Sequence, residues 1–267
     1  QQMRSVQVGG NIGAPGLDLP AMGASGVYVL ELSSYQLELL PTAIFDIAIL
    51  LNITPDHLDR HGGMDGYVAA KQRIFDGQRS GQTAIVGIDD APSRGMFEGL
   101  RDGSDATLIP LSTHEACPGG IYVSEGWLID DRDGSAQRVL ELSSLETLPG
   151  AHNAQNVAAA YAASTVIADA KHEKKQIAII AAIRSFPGLA HRQELVGYRK
   201  SVRFVNDSKA TNAEAAAHAL AAYDNIIWIA GGIAKEGGIK SLRDQFGRIQ
   251  HALLIGEAAD EFAETLD

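Results

Sequence analysis

Residues 45–75 read FDIAILLNITPDHLDRHGGMDGYVAAKQRIF, and the fold turns on where this stretch changes character. FDIAILLN (45–52) is a short, continuous apolar run, the pattern of a strand buried on both faces of a parallel sheet. The run stops at Asn52, and Asp56, His57, Asp59, Arg60 and His61 crowd into the residues that follow. YVAAKQRIF (67–75) then carries apolar residues at helical spacing around a single lysine, Lys71. A buried strand, a polar loop and a returning helix together make one crossover unit of an α/β domain.

The same alternation extends outward. VYVLE (27–31), TAIVG (83–87) and ATLIPL (106–111) read as further buried strands, with helices expected around 34–41, 65–76 and 90–100. Residues 121–142 differ: IYVSEGWLIDD and GSAQRVLEL alternate about a turn-like DRDGS, the mark of a hairpin or small antiparallel patch. NAQNVAAAYAASTVIADA and KKQIAIIAAIRSF are alanine-rich with helical spacing and read as two packed helices. FPGLAHR (186–192) punctuates the chain like an inter-domain joint. Beyond it the alternation restarts with VRFVND (202–207), a helix at 212–222, NIIWIAGG (225–232), a helix at 240–247, HALLIG (251–256) and a last helix. The expectation is an α/β chain of two domains, 1–189 and 190–267, the first with a mostly parallel sheet.

Composition narrows the function classes. The 267 residues are 45% hydrophobic, which excludes a disordered or fibrous chain. No run approaches the ~18–20 apolar residues of a membrane span, and no signal-peptide pattern opens the sequence. A net charge of −11 with no Lys/Arg run argues against nucleic acid as a partner. The single Cys117 excludes an intrachain disulfide framework and a cysteine zinc cage, and reads as a small packing residue. A monomer in the reducing cytoplasm is the expected setting. The opening QQMRSVQVGGNIG reads as the middle of a domain and EAADEFAETLD stops inside a helix, so truncation at both ends is expected.

In open α/β sheets ligands bind beyond the carboxyl ends of the strands. Here VYVLE ends in Glu31, the 45–52 strand leads to His57, VRFVND ends in Asp207 and NIIWIAGG leads to Lys235. Each has a bland reading. Glu31 can be a surface or capping carboxylate or a magnesium ligand, since hard cations prefer carboxylate oxygen. His57 can be a capping histidine, and Asp56 and Asp59 suit helix starts. Lys71 can reach solvent, or turn inward, lose its proton through burial and take up carbon dioxide as a carbamate. In GAHNAQN (150–156), Asn153 and Asn156 lie three apart on one helix face; their amides can cap the helix or read a purine edge. Arg192 at the joint can reach a phosphate.

Taken in order, GGNIG (9–13), LELSSYQLE (30–38), NITPDHLDRHG (52–62), YVAAKQRIF, GAHNAQN, FPGLAHR and NDSKATN (206–212) resemble the Mur ligase family, in the branch that adds D-glutamate. The resemblance implies the family's central ATP-binding domain followed by a Rossmann-like C-terminal domain, both partial. It implies ATP-dependent amide-bond formation between UDP-N-acetylmuramoyl-L-alanine and D-glutamate through an acyl phosphate. It also implies two Mg2+ sites, with Glu31 at one and His57 and a carbamylated Lys71 at the other. Asn153 and Asn156 would contact adenine, Arg192 a phosphate and Asp207 the ribose. Asn11, Ser33 and Ser34 would line the path of the nucleotide-sugar substrate, and Lys209, Thr211 and Lys235 would handle D-glutamate and the acyl phosphate. Asp56, Asp59, Arg60 and His61 would be scaffold. No GxxxxGK[ST] phosphate loop occurs in the sequence, so these 267 residues alone are expected to be inactive. A folylpolyglutamate synthase-type ligase and a non-catalytic nucleotide-binding homologue are the alternatives.

Overall fold

The computed structural model describes residues 5–169, 173–235 and 237–267. The chain forms two compact units that divide between Ile109 and Pro110.

In the first unit, β1 (Val6–Gly10) and β2 (Val27–Glu31) pair in parallel, with Gly10 opposite Glu31. The Asn11 N–H donates to the Glu31 carbonyl at 2.7 Å, so both residues sit at the carboxyl end of this sheet. The short helix α1 (Ser34–Glu38) follows at once. It begins with a capping box: the Ser33 hydroxyl accepts from the Gln36 N–H, and the Gln36 side chain accepts from the Ser33 N–H. Next come β3 (Ile47–Leu50), α2 (Leu58–His61) and α3 (Met64–Gln72), the last running into a 3₁₀ turn at Arg73–Phe75. β4 (Thr83–Gly87) lies parallel to β3 and is buried at all five positions, as a central strand covered on both faces must be. Ala48, Leu50, Ile53, Tyr67, Phe75, Val86 and Met96 form its core.

The helix α4 (Ala91–Gly103) after β4 carries Pro92 in its first turn and is capped by Asp90. One Asp90 oxygen accepts from the Ser93 N–H at 2.9 Å, and the other accepts from the Ile53 N–H at 3.2 Å. A single carboxylate thus starts a helix and tethers the loop that leads to His57. β5 (Thr107–Ser112) runs through the boundary between the units.

In the second unit, the end of β5 pairs in parallel with β6 (Ile121–Ser124), and β7 (Trp127–Asp130) and β8 (Gln137–Glu141) add antiparallel strands. The antiparallel patch expected at 121–142 therefore holds three strands, with a tight turn at Glu125-Gly126 as well as the one at DRDGS. The helix α5 (Ala151–Ala168) buries its alanine face and Tyr161, whose hydroxyl donates to Asp130 at 3.0 Å, and α6 (Glu173–Arg184) packs beside it. Arg132 grips the same carboxylate through two bonds of 2.8 and 2.6 Å. Burial and Asp130 push the Tyr161 hydroxyl far above its usual range.

β9 (Glu194–Arg199) and β10 (Val202–Asn206) form an antiparallel hairpin. This differs from the purely alternating order expected after residue 190, because ELVGYR adds a strand before VRFVN. After α7 (Ala213–Ala222), β11 (Ile226–Gly231) and β12 (Ile249–Ile255) pair in parallel, and α8 (Ala259–Leu266) closes the chain. The helix expected at 240–247 is a 3₁₀ segment, Lys240–Arg248, whose Leu242 packs with Leu220, Ile239 and Phe262.

The double role of Asp90 makes a test. Asp90→Ala is expected to lower unfolding free energy by about 1–2 kcal/mol, the usual worth of such a cap, in urea titrations. Amide exchange at Ile53 should accelerate in the same variant.

Candidate functional site

Two groups of side chains gather at strand ends, one in each unit. In the first unit the loop after β3 brings His57 against α1. His57 adopts a left-handed backbone (φ 53°), an uncommon conformation for a residue with a side chain. Its N–H donates to Asp56 Oδ1 at 2.9 Å, and its Nε2 lies 3.3 Å from Asp56 Oδ2. The ring stands edge-on to Tyr35, with centroids 5.2 Å apart. Asp56 thus acts as local scaffold for the histidine.

His61 lies behind this pair, its side chain 1% exposed. Its Nδ1 is 3.2 Å from Glu38 Oε1 and its Nε2 is 3.0 Å from Ser34 Oγ. A carboxylate only accepts, so Nδ1 carries a proton, and in the neutral ring the Ser34 hydroxyl then donates to Nε2. Arg60 binds the second Glu38 oxygen at 2.7 Å, and Arg73 donates to the Glu38 carbonyl at 3.1 Å. The His61 ring packs between Tyr35 and Tyr67, at 5.6 and 5.4 Å. Lys71, half-buried on α3, places Nζ 5.2 Å from the centre of the Tyr67 ring.

Several expected residues are thus brought together and others are redirected. Tyr35, four residues past Glu31, touches His57, while the Glu31 side chain itself is exposed at the end of β2 beside the exposed Asn11. Ser33 and Ser34, expected along a substrate path, are used structurally. Ser33 caps α1, and Ser34 is 2% exposed and turned inward to His61. Glu38, Tyr35 and Tyr67 escaped the sequence reading. The available signal was that Ser34 and Glu38 lie four apart, on one face of a helix.

Among the described residues no three His, Cys, Asp or Glu side chains gather closely enough to hold a metal ion. Glu31 and His57 therefore offer too few donors for an all-protein cage. Mg2+ characteristically takes one or two carboxylates and completes its shell with substrate phosphates and water. That donor set suits an exposed carboxylate at a strand end.

In the second unit, Asn153 near the start of α5 donates from Nδ2 to the Pro149 carbonyl at 2.8 Å, and its Oδ1 faces Asn156 Nδ2 at 3.4 Å. The amides expected to read a purine thus also secure the helix start. Around the joint, His191 and Gln193 hold left-handed backbone conformations, and the Gln193 N–H donates to Asp207 Oδ1 at 2.9 Å. Burial holds the Asp207 carboxyl above the usual carboxylate range, outweighing that bond and the nearby Arg192 and His218. Arg192, Lys209, Thr211 and Lys235 are exposed, with the Lys209 N–H donating to the His191 carbonyl at 3.0 Å. The His152 ring packs tilted against His218, with centroids 4.9 Å apart, and its Nε2 meets Gln193 Nε2 at 3.3 Å. His218 and Gln193 were not singled out in the sequence, although a lone histidine on the alanine-rich α7 poses the same question as Lys71.

The chain belongs to the Mur ligase family: residues 17–164 match the Mur ligase middle domain. It is 52% identical over 262 residues to the UDP-N-acetylmuramoylalanine--D-glutamate ligase of Rhodospirillum rubrum, covering 98% of this chain and 54% of that protein. The enzymes of the same name from Caulobacter sp. (strain K31) and Agrobacterium fabrum are 49% and 47% identical, over 100% and 98% of this chain and 56% and 54% of theirs. The chain spans about half the length of the curated relatives it matches. Among solved structures, MurF from Acinetobacter baumannii superposes with a TM-score of 0.60 at 20% identity, over 90% of this chain and 54% of that one. A point mutant of L. casei FPGS gives 0.53 at 16%, over 85% and 57%. These two likenesses establish the fold. No helix among the described residues is long and apolar enough to cross a membrane.

His152 provides a pH test. Burial first, and the neighbouring His218 second, push its pKa down to about 4 from 6.5. Below pH 6.5 the unfolded chain binds a proton that the folded chain refuses, so stability is full above that pH and drains as pH falls toward 4. His152→Gln should therefore lose less stability than the unsubstituted chain between pH 7 and pH 5 in urea titrations.

Proposed function

We propose that the protein carrying this chain is the ATP-dependent ligase that adds D-glutamate to UDP-N-acetylmuramoyl-L-alanine in peptidoglycan precursor synthesis. The observation that carries this reading is the 47–52% identity, across nearly the whole chain, to enzymes bearing that name. The two-domain division near residue 190, a cytoplasmic location and a monomeric state belong to the same proposal.

The reaction passes a phosphoryl group to the substrate carboxylate, and the amine of D-glutamate then displaces phosphate to form the amide. Such chemistry asks the protein for positioning and charge neutralisation rather than covalent help. Glu31 would hold one Mg2+ and His57 the second; when bound, these ions offset the nucleotide's negative charge. Lys71 would join His57 as a carbamate. Its half-buried place on α3, with Nζ 5.2 Å from the Tyr67 ring centre, supports a side chain held inward. Asn153 and Asn156 would meet the adenine edge, Asp207 the ribose and Arg192 a phosphate. Lys209, Thr211 and Lys235, all exposed, would receive D-glutamate and the acyl phosphate. Asn11 would contact the reacting end of the nucleotide sugar, with Ser33 and Ser34 supporting that wall from within α1.

The full-length protein, given the nucleotide sugar, ATP, Mg2+ and a panel of amino acids, should release phosphate with D-glutamate alone. Release with L-glutamate on a folate substrate would instead favour the folylpolyglutamate synthase-type reading. Release with no amino acid would favour a protein that only binds and hydrolyses nucleotide. Lys71→Ala should cut kcat by about 100-fold or more, the scale lost when a group that positions the reacting atoms is removed, with the thermal midpoint little changed.

A further inference from the structure

The Ser34–His61–Glu38 chain has the hydrogen-bond order of an acyl-transfer relay: hydroxyl, imidazole, carboxylate. It cannot serve as one. Ser34 is 2% exposed and the His61 side chain 1%, so no substrate carbonyl can reach the hydroxyl. The same geometry has a different consequence. With both ring nitrogens engaged on α1, and its own backbone on α2, the His61 imidazole is tied at three points.

We propose that His61 is the positioning residue of the strand-end cleft, setting the directions of His57 and Lys71 through the two tyrosines it touches. On one side Tyr35 packs on His61 at 5.6 Å and on His57 at 5.2 Å. On the other Tyr67, 6% exposed, packs on His61 at 5.4 Å and has Lys71 Nζ 5.2 Å from its ring centre. His57 and Lys71 lie on separate elements, and the fixed imidazole is their shared reference. Glu38 completes the device by ordering the proton on Nδ1, and Arg60 holds that carboxylate from the solvent side at 2.7 Å. Removing either hydrogen bond leaves a buried nitrogen without its partner, and the ring is then free to tilt. A tilt of His61 moves both tyrosines, and with them both functional side chains. The role in catalysis rests on the ligase reading; the geometric coupling does not.

The test therefore has two arms. In the first, the isotopically labelled full-length protein is followed by NMR at the His57 ring protons and the Lys71 methylene next to Nζ. His61→Phe keeps a ring and removes both nitrogens; Ser34→Ala removes one bond with little change in volume. Both variants should shift the His57 and Lys71 signals together, whereas Glu98→Ala, exposed on α4, should leave them in place. A folded His61→Phe with unmoved His57 and Lys71 signals overturns the proposal, and if that variant does not fold, Ser34→Ala decides by the same criterion.

In the second arm, the full-length protein carrying Ser34→Ala should lose about 10–100-fold in kcat, with KM for ATP changed by less than about twofold. A purely structural role would lower the thermal midpoint without that split. An unchanged kcat beside shifted signals overturns the catalytic part of the proposal. Absence of D-glutamate-dependent turnover in the unsubstituted protein would defeat the ligase reading and leave the NMR arm to judge the coupling.

Discussion

A histidine shut away from water must satisfy both ring nitrogens, and this requirement organises the first unit. His61 meets it with Glu38 on one side and Ser34 on the other, both supplied by the same short helix. An isolated five-residue helix has no stability of its own in water. α1 persists because Ser33 caps its start, Leu37 buries its inner face and His61 bonds its outer turns. That helix begins three residues after Glu31, so whatever fixes α1 also fixes the end of β2. The loop after β3 is held from its other side by Asp90 at Ile53, and His57 farther along it holds a left-handed backbone. A residue held in such a conformation must be stabilised by its surroundings, and here the surroundings are visible.

The second unit meets its constraint differently. α5 is rich in alanine and would pack almost anywhere, since small side chains specify little. Tyr161 supplies the specificity: its ring is fully buried and its hydroxyl must find the Asp130 carboxylate, which Arg132 already holds in a two-bond grip. That places the start of α5, with Asn153 and Asn156, on one side of the joint. Gln193 and Asp207 lie on the other, tied by the bond from the Gln193 N–H to the Asp207 carboxylate. The residues expected to meet a nucleotide are thus carried on a rigid helix start and a hairpin end, rather than on a long loop.

Much of this was legible in the sequence, for physical reasons that differ by element. FDIAILLN and TAIVG declare themselves because a strand covered on both faces must be apolar throughout. The helices at 90–100 and 212–222 carry their own caps, Asp90 and Asn212. β1 was missed because Gln7 and two glycines break its apolar pattern, and β9 because ELVGYR is half polar on a pair of strands with one face in water. α2 is four residues long, too short to show a period. Ile239, Leu242 and Phe246 are spaced three and four apart, which reads as an α-helix, so the 3₁₀ form of 240–248 left no separate mark in the sequence. The His61 arrangement joins residues 27 apart in the chain, and only folding places them together. Ser34 shows what a motif alone leaves out: its position beside Ser33 pointed to a substrate path, and the structure adds its hydrogen bond inward to His61.

The central claim is that the end of β2 and the loop after β3 build one magnesium–nucleotide cleft around His57. Paramagnetic relaxation tests it most directly, with Mn2+ replacing Mg2+ and a non-hydrolysable ATP analogue bound to the full-length protein. The account predicts strong, nucleotide-dependent broadening of the His57 ring signals, with the exposed His251 on β12 unaffected. Equal broadening of the two histidines, or none at His57, would contradict it.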